Sequence, residues 1–128
     1  MDARADHSAI PRVTFTDPEV ASVGLSERRA RERGRSVIVF STAPAESARG
    51  YIHGFEHGAL KLVGDRERGT LIGATLVTPR AGEILGEPVL AIKEEIPLRA
   101  LADVVHPFPA FNRVLEKKFA ELSALARG

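Results

Sequence analysis

Cysteine is missing from all 128 residues. That excludes structural disulfides, thiolate metal sites and a redox-active dithiol within the chain. Any disulfide chemistry linked to it must take its sulfurs from elsewhere. Charge of one sign is not in excess either, since the formal net charge is +1. A balance this close to neutral gives no argument for nucleic acid or a membrane surface as partner. No apolar run approaches the roughly 20 residues of a membrane span. The polar start, Met1 to His7, has no signal-peptide core, so a cytoplasmic location is expected. No repeat or low-complexity linker divides the chain, and no glycine-rich phosphate loop follows a strand pattern. What remains is one soluble domain with enough length for a two-layer core. Residues 1–10 are expected as a lead-in and 11–128 as the domain. The abrupt start before the first motif suggests a truncated piece of a longer chain.

The patterns that are present fall into two halves. Val13–Thr16 and Glu19–Gly24 read as short strands separated by the turn pair Asp17-Pro18. Ser26 is a helix N-cap, Glu27 suits the positive end of the dipole, and Gly34 is the stop. The helix between them carries four arginines and two glutamates and must face water over most of its surface. Val37–Phe40 suits a buried strand. Ala43–Gly58, with glycines at 50, 54 and 58, reads as mostly loop with a short strand near Tyr51. Ala59–Val63 and Leu71–Val77 form a hairpin pattern, and Gly73 marks a bulge or a close backbone contact. From Ala81 the period becomes helical, with Ala81, Ile84, Leu85, Ala91 and Ile92 on one face. Pro88 kinks or restarts that helix. Leu98–Val104 is a short helical pattern after Pro97. A final helix runs from its cap Asn112 to Ala126, with Phe111, Leu115, Phe119, Leu122 and Ala126 along one side. Strands first and helices later describe an α+β domain with an antiparallel sheet flanked by helices.

Three constellations bear on chemistry. His53, Glu56 and His57 spell H-x-x-E-H, a zinc-peptidase string. The surrounding glycines argue against the helix it needs, and no third ligand is evident. Glu83 and Glu87 share a predicted helix face, yet such carboxylates more often meet water or arginines than act as an acid–base pair. His106-Pro107-Phe108-Pro109-Ala110-Phe111 crowds two rigid prolines with aromatic side chains ahead of the last helix. It fits an interface element or a core-packing linker, with His106 equally at home as a hydrogen-bonded core residue.

Segments in order resemble one family. Phe15 to Leu25 (FTDPEVASVGL) looks like the opening of the dimerisation domain of FAD-dependent pyridine nucleotide–disulfide oxidoreductases. Examples are dihydrolipoamide dehydrogenase, glutathione reductase and mercuric reductase. Gly58 to Val63, Leu71 to Ala74 and Ala81 to Leu85 follow as they do there. His106 to Phe111 falls where the family's histidine–proline motif ends the domain. The resemblance spans about Pro11 to Leu122. It implies a sheet flanked by helices that joins two subunits, with FAD and NAD(P) held by other domains of the parent enzyme. In the family a histidine–glutamate dyad from this domain serves the partner's flavin site. Here the dyad positions are Phe108 and Arg113, and Ala110 and Asn112 replace the threonine and serine of the motif. Phenylalanine exchanges no proton and arginine accepts no N–H. The mercuric reductase branch is similar in placing an aromatic residue there, but it ends in a cysteine pair that this chain lacks.

The resemblance therefore implies a homodimerisation module without catalysis of its own. His106, Pro107, Phe108, Pro109, Phe111 and Leu115 are its expected interface residues. Other readings are a fragment that completes a partner's flavin site, with His106 as its weak acid–base candidate, and a small metal- or ligand-binding domain using His53, Glu56 and His57.

Overall fold

A computed structural model of the chain describes residues 4–43 and 47–128. Five strands form one antiparallel sheet: β1 (Arg12–Thr14), β2 (Glu19–Gly24), β3 (Val37–Thr42), β4 (Ala59–Asp65) and β5 (Thr70–Thr78). Their order across the sheet is β1-β2-β5-β4-β3. The helices are α1 (Glu27–Glu32), α2 (Ala48–His53), α3 (Ala81–Ile84), α4 (Gly86–Lys93), α5 (Leu98–Ala102) and α6 (Arg113–Arg127). This is the α+β arrangement expected from strands preceding helices.

Side-chain alternation decides which face of the sheet is covered. Pairing aligns Ala21 with Leu76 and Leu60, and Val23 with Ala74, Leu62 and Phe40. These two rows form an apolar floor. Leu115, Phe119 and Leu122 of α6 lie over the β3–β4 side and are wholly buried, while α4 packs on β5 and β2. Each such side chain contributes about 1.5–3 kcal/mol relative to exposure.

The β4–β5 connection is built around Asp65, only 2 % exposed. Its Oδ1 accepts the N–H groups of Glu67 and Arg68 at 3.0 and 3.1 Å. Its Oδ2 accepts from the Arg35 guanidinium at 3.0 Å. A carboxylate can be buried here because its oxygens are occupied by donors. Within the hairpin the register steps from Val63–Gly73 to Gly64–Leu71, which leaves Ile72 as the extra residue of a bulge. Its carbonyl accepts the Leu25 N–H at 2.8 Å. A Cβ on Gly73 would collide with the Leu25 carbonyl, and one on Gly24 (φ +72°) with that of Ile72. Both readings of Gly73, bulge and close contact, are therefore met at one place.

Several boundaries differ from expectation. The stretch read as loop, with a strand near Tyr51, contains α2 instead; its residues 44–46 lie outside the described ones. Ser47 Oγ accepts from the Gly50 N–H at 3.0 Å. Gly54, in the left-handed conformation, ends the helix. A glycine read as a helix breaker is in fact a terminator. Near Pro88 the helix restarts, as α3 then α4, rather than kinking. The N-terminus of α3 has no side-chain cap of its own, and the Glu19 carboxylate from β2 accepts the Gly82 N–H at 2.8 Å. Asn112 precedes α6 but makes no capping bond, and its Oδ1 has no hydrogen-bond partner among the described residues.

Candidate interface segment between α5 and α6

Asp103–Asn112 has no helix or strand, so directed contacts must fix its shape. His106 is the anchor, 5 % exposed. Its Nε2–H donates to Glu87 Oε2 on α4 at 2.8 Å; a carboxylate only accepts, so Nε2 carries the proton. Its backbone N–H donates to Glu116 Oε2 on α6 at 3.0 Å. That N–H, followed by the charge of Arg113, holds the Glu116 carboxyl below its ordinary range against the opposing effect of burial. The other end is gripped from α2, where Arg49 donates from Nε and Nη2 to the Pro109 carbonyl at 2.9 and 2.6 Å. Two carboxylates and one guanidinium, from three helices, thus pin the strap on which Phe108 is displayed.

Phe108 is 67 % exposed and Val105 88 %. The Arg113 guanidinium lies over the Phe108 ring, 5.1 Å from its centre. The two positions that the resemblance assigns to a dyad are therefore in contact through a cation and a ring face, which transfers no proton. Beside them opens a cavity of about 270 Å³ lined in part by Arg49, Phe108, Arg113 and Lys117.

The expected interface residues separate. Phe108 and Pro107 are exposed, and Pro109 and Phe111 are half-buried, with Phe111 also meeting the His53 ring edge-on at 5.3 Å. His106 and Leu115 lie inside the subunit, Leu115 at 0 % exposure in the core under α6. The burial of Leu115 follows from its place on the apolar side of α6, and that of His106 from its two carboxylate contacts. His106, the weak acid–base candidate, accordingly faces carboxylates of its own subunit. Sequence reasoning did not single out Val105, although the apolar pair Val104-Val105 directly precedes His106. It also missed Arg49, which gave no signal.

The other candidates fall apart in space. His53 ends α2, while Glu56 and His57 lie in the exposed loop after it. Among the described residues no group of three or more histidine, aspartate or glutamate side chains is arranged to hold a metal ion. Glu83, 74 % exposed, faces Arg80 at 3.7 Å, whereas Glu87 turns to His106, so the two do not act as a pair. All sheet pairings are antiparallel, and among the described residues no strand leads through a glycine-rich loop into a helix. The residues present do not fit a dinucleotide cofactor cradle.

Residues 10–119 match the family model described as the pyridine nucleotide-disulphide oxidoreductase dimerisation domain. The chain belongs to that family, a domain of FAD-dependent disulfide oxidoreductases. Similar relatives include a dihydrolipoyl dehydrogenase of Mycobacterium tuberculosis, 37 % identical over 89 % of this chain and 25 % of its own length. Another is the dihydrolipoyl dehydrogenase of Halobacterium salinarum, 36 % identical over 86 % of this chain and 23 % of its own. Among solved structures, LpdA from Mycobacterium tuberculosis superposes with a TM-score of 0.88 at 22 % identity, over 94 % of this chain and 26 % of that one. The HOCl-induced flavoprotein disulfide reductase RclA from Escherichia coli gives 0.84 at 24 % identity, over 88 % and 26 %. These two share the fold. The chain spans about a quarter of the length of these relatives.

Proposed function

We propose that this chain is a homodimerisation module of an NAD(P)H- and FAD-dependent oxidoreductase and carries out no catalysis by itself. The observation that supports this most is the strap itself: a segment without regular structure, pinned by part-buried polar contacts, that presents Phe108 and Val105 to solvent. Exposed aromatic and aliphatic groups on a rigid support are what interface cores are made of. Phe108 and Arg113 at the dyad positions supply neither proton donor nor orienting acceptor, which favours a scaffold over a catalytic surface. Pro107, Phe108, Pro109 and Phe111 are the residues we assign to the interface, with FAD and NAD(P) held by the parent's other domains. A cytoplasmic setting suits a chain that needs no disulfide. Among the described residues no helix is long and apolar enough to cross a membrane.

Sedimentation equilibrium tests the proposal. At about 50 µM the chain should be dimeric, since interfaces above about 1,000 Å² commonly give micromolar or tighter association. Phe108→Glu should shift it to monomer without lowering the melting temperature of the monomer, because the side chain is mostly exposed. A strict monomer at that concentration overturns the reading.

A further inference from the structure

The arginines of α1 divide by partner. Arg31 meets Glu27 at 2.9 Å and Arg28 meets Glu32 at 3.8 Å, both along the helix. Arg29 and Arg33 have no carboxylate at ion-pair distance among the described residues, although they stand one turn apart. Like charges so placed repel one another. They line a groove of about 760 Å³ together with Arg12, Arg35, Arg68 and Lys93. Among the described residues Asp6, Glu94 and Glu95 line the groove beside these six cations and Asp65 pairs with Arg35 from behind, which leaves two positive charges concentrated in a chain whose net charge is +1.

The groove has fixed and exchangeable parts. Arg12 is steadied by Ser22 Oγ and the Gly24 carbonyl at 3.1 and 3.2 Å. Arg35 is steadied by buried Asp65, itself filled with donors. By contrast, Arg68–Glu95 at 3.1 Å and Lys93–Asp6 at 2.7 Å are exposed pairs, which contribute little and exchange readily for a stronger anion. Leu25, Ile72 and Ile92 supply an apolar floor.

We propose that this groove is a binding site for a small molecule carrying several linked phosphate groups. Guanidinium forks pair bidentately with phosphate oxygens, and the volume falls within the roughly 300–1,000 Å³ of small-molecule sites. The cations converge from β1, α1, the β4–β5 turn and α4 onto one hollow. An extended acidic peptide would present same-face carboxylates about 6.6 Å apart and track a stripe instead.

Isothermal titration of the full chain with tripolyphosphate at low salt tests the site. Saturable one-to-one binding is expected, weakened at least about tenfold (roughly 1.4 kcal/mol) in Arg29→Ala/Arg33→Ala. The matched variant Arg28→Ala/Arg31→Ala removes the same charge from the other side of the same helix and should leave affinity within about twofold. A parallel titration with ATP identifies the source: equal affinity assigns the site to a phosphate chain, tighter ATP binding to a nucleotide. Absence of saturable binding for both probes, or equal losses in the two double variants, overturns the proposal. Circular dichroism melts confirm that both variants, altered only at exposed side chains, remain folded.

Discussion

The core beneath α6 and the strap ahead of it lie side by side and are held in different ways. Leu60, Leu62, Leu76 and Phe119 are held by area, which has no direction and tolerates another apolar shape of similar volume. The strap Asp103–Asn112 has little buried apolar area of its own. His106 with Glu87 and Glu116, and Arg49 with the Pro109 carbonyl, hold it through a few contacts that each require one geometry. A region held by area sets how stable the fold is. One held by directed bonds sets where a few exposed side chains stand.

The contrast is broken most strongly from the core side. Phe119→Ala should lower unfolding free energy by about 3–5 kcal/mol, measured by urea denaturation, with hydrogen exchange accelerated throughout the sheet. Removing the strap's anchor should behave otherwise. Glu87→Ala leaves a buried imidazole N–H without an acceptor, at a cost of about 1–3 kcal/mol. Hydrogen exchange at 104–108 should then rise more than at β4. A uniform rise across the domain would show that the strap is not a separately held unit. Arg49→Ala should cost less, about 1 kcal/mol, because the guanidinium is partly exposed and screened. Its effect should be confined to 108–111.

The smallest effect is on pH. The folded Glu116 carboxyl lies below its ordinary value of 4.5, so its contribution is complete above that value. It is lost as pH falls through the folded pKa. Thermal melts of the parent and Glu116→Gln should therefore converge on acidification below about pH 4.5. Parallel curves throughout would show that the His106 N–H does not favour the charged carboxylate.

Where burial has a period, the sequence discloses it. Leu115, Phe119 and Leu122 recur at helical spacing, and Leu60 and Leu62 alternate with Lys61, so α6 and the hairpin were legible. The glycine at 73 was legible too, as a place where another backbone passes. The strap was not, because its contacts carry no period. His106 finds its partners 10 and 19 residues away, on two different helices. Glu87 was expected on one face with Glu83, in water or against arginine, and instead turns to His106 while Glu83 faces Arg80. The helix α2 was hidden for a related reason: Gly54 reads as a breaker from composition, and only its left-handed backbone shows it to be a stop. Arg49 sits on that helix, so missing α2 meant missing half of what grips the strap.

The corner where Gly24 and Gly73 pass the carbonyls of Ile72 and Leu25 acts as a bracket. It clamps the first turn after β2 against the middle of β5 with no side chain to serve as a cushion. The basic helix that follows therefore starts from a point fixed to the sheet. A methyl group added at either glycine would force the Leu25–Ile72 approach apart and shift the start of α1 against β5.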